Sequence, residues 1–312
     1  MNKTINNLEG ILGFPITPFD ENNRLDEQAL AANVNFLIQS GLDAIFICAG
    51  SGEFQSLSRS EYETMIDIAV SASNGSVPVF AGVGGNIQHA LELTEIASDR
   101  GADGILILPP YLIVPEQEGL YRYYKTIAEH TELQAILYQR DNAVFTVQTV
   151  ERLASIPQII GFKDGHGNME LNIELVHTIG DRLNWMNGMP FAEVTMPAYK
   201  GLGFRSYSSA ISNYLPHISR MYYNALAQGD KSLLDVLYRE VILPINQVRK
   251  LRKGYAVSLI KAGMEIVGLP IGGKVRAPLV EVEKEHYAQL EKLVTRANTL
   301  FPPKSPISSE QR

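Results

Sequence analysis

The most chemically specific residue in this sequence is Lys163, which ends the apolar run Ile159-Ile160-Gly161-Phe162-Lys163. A lysine held in a desolvated pocket loses proton affinity because burial disfavours the ammonium. The neutral amine can then attack a ketone and form a Schiff base. The competing reading is a strand-end lysine that carries its charge to water and pairs with Asp164. Successive side chains of a strand point to opposite faces, however, so Asp164 is expected to face away from Lys163. Tyr138 ends a second apolar run, Ala135-Ile136-Leu137-Tyr138. A phenol beside an imine can relay protons, although an isolated tyrosine here also reads as a rim aromatic. Gly50-Ser51-Gly52 offers backbone N–H groups and a hydroxyl that suit a carboxylate, or else a tight turn that needs glycine for its backbone alone. Arg140, Asn187-Gly188 and Ser208-Ser209 also follow apolar runs, and the serine pair suits a second anion.

Other chemistries find less support. The 6 histidines (His89, His130, His166, His177, His217 and His286) are isolated, with no His-x-His or His-Glu-x-x-His. Asp164, His166 and Glu170 can be drawn as a metal site, but a polar loop with one histidine explains them more simply. No Gly-x-Ser-x-Gly elbow follows a strand. The basic run Arg249-Lys250-Leu251-Arg252-Lys253 reads as a solvated helix end near Gly254, with a regulatory anion site as the alternative. With 27 Lys and Arg against 34 Asp and Glu, the net charge is −7. That balance argues against a nucleic-acid partner, whose affinity rests on neutralising phosphates. The single cysteine, Cys48, fits a reducing cytosol and reads as packing. Apolar runs such as Ile105 to Leu108 are strand-length, whereas a membrane helix needs about 20 residues. The start, MNKTINNLEG, lacks the apolar stretch of a signal peptide. A cytoplasmic protein with no membrane partner is expected.

The elements that must position these residues announce themselves through an internal echo. Gly41-Leu42-Asp43-Ala44-Ile45-Phe46-Ile47 recurs as Gly101-Ala102-Asp103-Gly104-Ile105-Leu106-Ile107. Each copy follows an amphipathic helical pattern, with Leu30, Val34, Leu37 and Ile38 before the first and Ala90, Leu93, Ile96 and Ala97 before the second. The glycine is the left-handed stop, and a buried strand follows. Phe14 to Thr17 is expected to close the first strand, Val79–Val83 and Ala135–Tyr138 are further strands, the Trp185 region is the seventh, and Phe204–Tyr207 is the eighth. Ser58-x-x-Glu61 is a capping box that opens the helix after strand two. Continuous apolar strands separated by amphipathic helices imply a covered parallel sheet. The fold class is α/β, an eight-stranded (β/α)8 TIM barrel with a C-terminal helical extension. The expected divisions are a polar segment over 1–10, the barrel over 11–215, the extension of the same domain over 216–300 and a flexible tail over 301–312. A doubly wound open sheet is the runner-up, but neither Gly82-Val83-Gly84-Gly85 nor Gly50-Ser51-Gly52 completes a dinucleotide fingerprint. Barrel active sites lie at the C-terminal ends of the strands, which is where the residues named above fall.

Gly50-Ser51-Gly52-Glu53, Leu108-Pro109-x-Tyr111-Leu112, Tyr138, Gly161-Phe162-Lys163-Asp164-Gly165, Tyr207-Ser208-Ser209-Ala210 and Gly254-Tyr255-Ala256-Val257-Ser258 occur in that order. Together they resemble the dihydrodipicolinate synthase / N-acetylneuraminate lyase superfamily of Schiff-base barrels, from about Gly13 to about Leu300. Within it the chain is most similar to the 5-dehydro-4-deoxyglucarate dehydratase branch. The resemblance implies that Lys163 is the Schiff-base lysine and Tyr138 its proton-relay partner, and that Ser51 with the Gly50–Gly52 amides holds the carboxylate beside the ketone. It implies a lyase that dehydrates and decarboxylates 5-dehydro-4-deoxy-D-glucarate to 2,5-dioxopentanoate, with no cofactor beyond the lysine imine. It also implies a homo-oligomer, by family analogy a tetramer. Arg140 or Ser208-Ser209 is expected to hold the distal carboxylate. Leu112 stands where synthases carry a second tyrosine and Ala143 in the region of their arginine, which argues against dihydrodipicolinate synthesis. Gln139 stands where dehydratases typically have asparagine. A keto-acid aldolase that cleaves to pyruvate, and a non-catalytic sugar-acid sensor on the same barrel, are the alternatives.

Overall fold

The computed structural model describes residues 5, 7–269 and 274–303. Eight parallel strands close in sequence order: β1 (Gly10–Gly13), β2 (Ala44–Ile47), β3 (Val79–Gly85), β4 (Gly104–Pro110), β5 (Gln134–Gln139), β6 (Ile159–Asp164), β7 (Asn184–Asn187) and β8 (Ser206–Ser209). Between them run α1 (Glu27–Gln39), α2 (Arg59–Ser73), α3 (Ile87–Asp99), α4 (Gln117–Glu129), α5 (Val147–Ala154), α6 (Met169–Ile179) and α7 (Ala192–Gly201). After β8 come α8 (Pro216–Gln228), α9 (Lys231–Leu237), a π turn (Tyr238–Ile242), α10 (Leu243–Lys250), α11 (Tyr255–Ile266) and α12 (Lys284–Leu300). The expected barrel with a helical extension is the observed fold. Of the predicted terminal segments, residues 1–4, 6 and 304–312 lie outside the described residues. Leu8 is buried among the interior side chains, and its N–H donates to Asn184 Oδ1 at 3.0 Å.

The internal echo has a direct physical meaning. Gly41 and Gly101 both adopt left-handed φ, 79° and 78°. The residue after each returns its N–H to the helix just ended, Leu42 to Leu37 O and Ala102 to Ala97 O. The aspartate that follows joins the preceding strand of the same pair. Asp43 donates its N–H to Ile11 O while its carboxylate accepts from Ile11 N; Asp103 does the same with Val79. Each copy therefore satisfies strand-start groups that the parallel ladder leaves unpaired.

Two layers of core follow. Helices pack outside the barrel, and a smaller interior set fills its lumen, including Phe14, Phe46, Phe80 and Ile136. The rings of Phe14, Phe46 and Phe80 stack at 4.6 and 4.9 Å. Glycines on the neighbouring strands make room for large residues: a Cβ on Gly104 would lie 2.4 Å from the Phe80 ring, and one on Gly161 would lie 2.6 Å from Met186 Cε. Strand one ends at Gly13 rather than Thr17, because Pro15 and Pro18 bring no N–H to a ladder. Strand eight starts at Ser206, because Phe204 spends its N–H on Tyr199 O at the end of α7.

The tightest approach of a glycine to another stretch of backbone involves Gly82, where a Cβ would sit 2.3 Å from the backbone oxygen of Cys48. Gly82→Ala must move backbone, so it is expected to destabilise the fold by about 1–3 kcal/mol. A thermal denaturation midpoint equal to that of the unsubstituted protein would show that the close approach carries no such constraint.

Candidate active site

A cavity of about 430 Å³ opens at the C-terminal ends of the strands. Strands β5 and β6 pair in register so that Tyr138 lies opposite Lys163. Lys163 is 4% exposed, and its ammonium nitrogen sits 3.7 Å from the Tyr138 ring centroid and 5.0 Å from that of Phe14. Space for that side chain comes from Gly188: a Cβ there would meet Lys163 Cγ at 2.6 Å and Nζ at 2.7 Å. A Cβ on Gly165 would likewise press on the Tyr138 ring at 2.9 Å.

Asp164 does not neutralise Lys163. Its buried carboxylate faces the outer layer, accepting from Tyr199 OH (2.5 Å), Asn172 Nδ2 (2.7 Å), Gln139 Nε2 (3.0 Å) and the His166 N–H (2.9 Å). Gln139, the departure noted above, bridges this group to the next loop by accepting from Phe145 N–H at 3.0 Å. Its role is to fasten β5 to β6 behind the cavity.

Burial pushes the Lys163 amine below the usual lysine range, with Arg140 adding to the effect and Tyr138 and the more distant charge of Asp164 opposing it. For Tyr138, burial raises the phenol, but the charges of Lys163 and Arg140 outweigh it and leave the phenol below the ordinary tyrosine range. Arg140 Nη1 donates to the phenol oxygen at 3.1 Å. The pair is thus a poorly solvated amine against a phenol made more acidic than usual, which suits proton exchange at a carbonyl.

The remaining expected site residues divide. Gly50, Ser51, Arg140, Gly188, Ser208 and Ser209 line the same cavity as Lys163 and Tyr138. Gly52 does not; it is buried behind the turn, where its carbonyl accepts from Thr17 Oγ1 at 2.6 Å. Asn187 does not either. Its amide turns outward to Ala192 O (3.1 Å) and Thr195 Oγ1 (3.0 Å), and its oxygen accepts from Met189 N–H (3.0 Å), shaping the loop that carries Gly188. Ser209 spends its hydroxyl on buried Glu193 at 2.5 Å. Ser208 is the more available of the two serines, being half-buried with, among the described residues, only a 3.5 Å contact to Asn187 O. Among the described residues no group of three or more His, Cys, Asp or Glu is arranged to hold a metal ion, and Asp164, His166 and Glu170 form no such group.

The sequence reading missed the apolar walls. Phe14 lines the cavity from the loop after β1, and Val257, Ile260 and Leu279 line it from the extension. One signal was present: α11 is buried around nearly its whole circumference from Tyr255 to Met264, as a helix enclosed on all sides must be.

The family model described as "Dihydrodipicolinate synthetase family" matches residues 7–297. A Bacillus subtilis (strain 168) protein named "Probable 5-dehydro-4-deoxyglucarate dehydratase" is 62% identical over 296 residues, covering 95% of this chain and 96% of its own. A crystal structure of dihydrodipicolinate synthase from Oceanobacillus iheyensis superposes with a TM-score of 0.86 at 27% identity, covering 93% of this chain and 96% of that one. A prophage protein of the dihydrodipicolinic acid synthase family from E. coli K12, solved in complex with pyruvate, gives a TM-score of 0.83 at 27% identity over 92% of this chain and 98% of its own.

Glu193, behind Ser209, supplies a pH test of this wall. Burial pushes its carboxyl up to about 7, and one oxygen is buried without a hydrogen-bond partner among the described residues. The native state therefore keeps a proton that the unfolded chain releases near its ordinary value of 4.5. Stability from this group is complete below that value and is lost as pH rises through about 7. Glu193→Gln removes the loss, so its stability relative to the unsubstituted protein should rise between pH 5 and pH 8 by about 2.5 kcal/mol. Denaturant titrations that give the same difference at both pH values would contradict the assignment.

Proposed function

The chain belongs to the dihydrodipicolinate synthetase family, and from that premise we propose that it is a Schiff-base lyase converting 5-dehydro-4-deoxy-D-glucarate to 2,5-dioxopentanoate, water and CO2. The observation that carries this reading is the buried Lys163 set against Tyr138 in the cavity at the C-terminal ends of the strands. The name printed for the B. subtilis relative supports the substrate. The pyruvate bound by the E. coli prophage protein supports a 2-keto acid as the reacting end.

Lys163 attacks the ketone and releases water to give the imine, which makes the neighbouring methylene acidic. Tyr138 takes that proton, and the resulting enamine expels the β-hydroxyl as a second water with the proton returned from the phenol. Migration of the new double bond toward the remaining hydroxyl carbon gives an enol that becomes the second ketone. Loss of CO2 from the carboxylate next to the imine carbon, with a proton taken up at the carbon it leaves, and hydrolysis of the imine then free the aldehyde and Lys163. The overall change takes up one proton for each CO2 released, because a dianion becomes a monoanion. Ser51 with the Gly50 amide holds the carboxylate beside the ketone. Arg140 and Ser208 hold the distal carboxylate, with Arg140 also keeping the phenol acidic. Every group needed is on the chain, and no cofactor is invoked.

No helix among the described residues is long and apolar enough to cross a membrane. Cys48 is free and buried, which supports a reducing, cytoplasmic setting. Tyr111, Leu112, Ile113 and Val114 expose four large apolar side chains in a row, which supports a homo-oligomer, a tetramer on the family resemblance.

Borohydride with substrate should leave a covalent adduct at Lys163, detectable by peptide mass spectrometry; absence of an adduct with turnover intact would exclude the imine. Lys163→Ala should abolish turnover with the fold retained, and Tyr138→Phe should lower kcat by roughly 10²–10⁴-fold. CO2 release from 5-dehydro-4-deoxyglucarate separates this lyase from an aldolase, which would yield pyruvate without CO2, and from a sensor, which would yield neither. Turnover should be indifferent to EDTA.

A further inference from the structure

One buried charged pair has no part in the chemistry above. Glu53 is fully buried, Lys261 of α11 is almost so, and their side chains meet at 2.7 Å between Oε1 and Nζ. The other carboxylate oxygen accepts from the backbone N–H of Arg276 at 2.8 Å. Lys261 also donates to the carbonyl of Lys274 at 3.0 Å. A single carboxylate thus joins the turn after β2, helix α11 and the segment over 274–279. All three line the cavity: Gly50 and Ser51 from the turn, Val257 and Ile260 from the helix, Pro278 and Leu279 from the segment.

The backbone at Glu53 is held against its own preference. Its φ of 54° and ψ of 40° are left-handed, a conformation that non-glycine residues seldom adopt without enforcement by their surroundings. That conformation closes the turn, with Glu53 N–H donating to Gly50 O at 3.2 Å and Ser56 N–H to Glu53 O at 2.8 Å. The first of these bonds ties Glu53 to the carbonyl of Gly50, at the start of the turn whose amides are read as the carboxylate site. A buried ion pair is a poor source of net stability, since well-packed apolar residues of similar size usually do as well or better. Its place beside the turn calls for another explanation.

We propose that Glu53 is a positioning residue: its buried pair with Lys261 and its bond to the Arg276 amide lock the Gly50–Gly52 turn in the conformation that receives the keto-acid carboxylate, and register the C-terminal wall against it. The proposal rests on the reading that this turn holds the carboxylate. Lys261 acts only through Glu53 and touches no substrate.

The test uses the full chain with Glu53→Met, Lys261→Met and the double variant, and pyruvate with borohydride as the probe of imine formation. Each single variant leaves a buried charge unpaired and should lower the denaturation midpoint. The double variant removes both charges and should regain stability over either single one. It should nonetheless require about tenfold more pyruvate for half-maximal trapping, the loss of roughly one charge-assisted hydrogen bond, with full trapping at saturation. Hydrogen-exchange mass spectrometry should show faster exchange of the peptide covering 48–53 in the double variant. If half-saturation and exchange both return to their original values with stability, the pair is merely structural and the inference is overturned. Ser51→Ala keeps the two claims apart. Should it leave half-saturation unchanged, the carboxylate reading of the turn fails, and exchange alone then decides: faster exchange sustains the positioning role and unchanged exchange overturns it.

Discussion

Holding one amine out of water is the constraint on which the site depends. Lys163 is enclosed by the Tyr138 and Phe14 rings, and the carboxylate next to it in sequence is turned to the opposite face of β6. Burial, which outweighs the opposing charges of Tyr138 and Asp164, is what lowers its proton affinity. Several features that otherwise look unrelated serve that arrangement. Gly188 is bare because the lysine stem occupies the place of its side chain, and Gly165 is bare because the Tyr138 ring does. Asn172, Tyr199, Gln139 and two backbone amides occupy Asp164, so that its charge is spent behind the barrel wall.

The net charge of −7 bears on the same site from outside. An acidic chain does not draw a dianionic substrate from a distance, so recognition must be local. The cavity meets that need with Lys163, Arg140, the Ser51 and Ser208 hydroxyls and backbone amides, where low dielectric makes each contact stronger than it would be on the surface. Two further carboxylates lie buried close by, and they are managed in different ways. Glu53 keeps its charge company with Lys261, whereas Glu193 has no cation against it among the described residues and is pushed toward the neutral form by burial. Neither leaves an uncompensated negative charge beside the place where the substrate's own carboxylates must sit.

Much of this was legible in the sequence because the barrel repeats a local solution. The glycine stop, the aspartate and the short β-branched run recur with the same bonds at Asp43 and Asp103, so the repeat placed β2 and β4 and gave the rhythm from which most of the other strand ends followed, that of strand one excepted. Lys163, Tyr138, Ser51 and Arg140 were found by position along the chain, since a strand end in a barrel is also a place in space. What escaped was set by tertiary packing. Asn187 stands at a strand end, yet its amide is claimed by the first turn of α7, and no spacing in the sequence distinguishes that from a side chain facing the cavity. Phe14 was assigned to a strand that Pro15 in fact terminates, which frees its ring to lie over the lysine. The Glu53–Lys261 contact joins residues that only the completed fold brings together.

The C-terminal extension shows why the lysine cannot be understood from the barrel alone. Eight strands and their loops make an open-mouthed cup, and a lysine at the end of β6 in such a cup would meet water. Val257, Ile260 and Leu279 close one side of that mouth with apolar surface. Their side chains offer water no hydrogen bonds, and the low proton affinity of Lys163 requires just such exclusion. The helix that carries two of them is tied to the turn after β2 through Lys261 and Glu53. The reactivity of one amine is therefore a property of segments far apart in sequence, brought together by a charge pair that is itself kept from water.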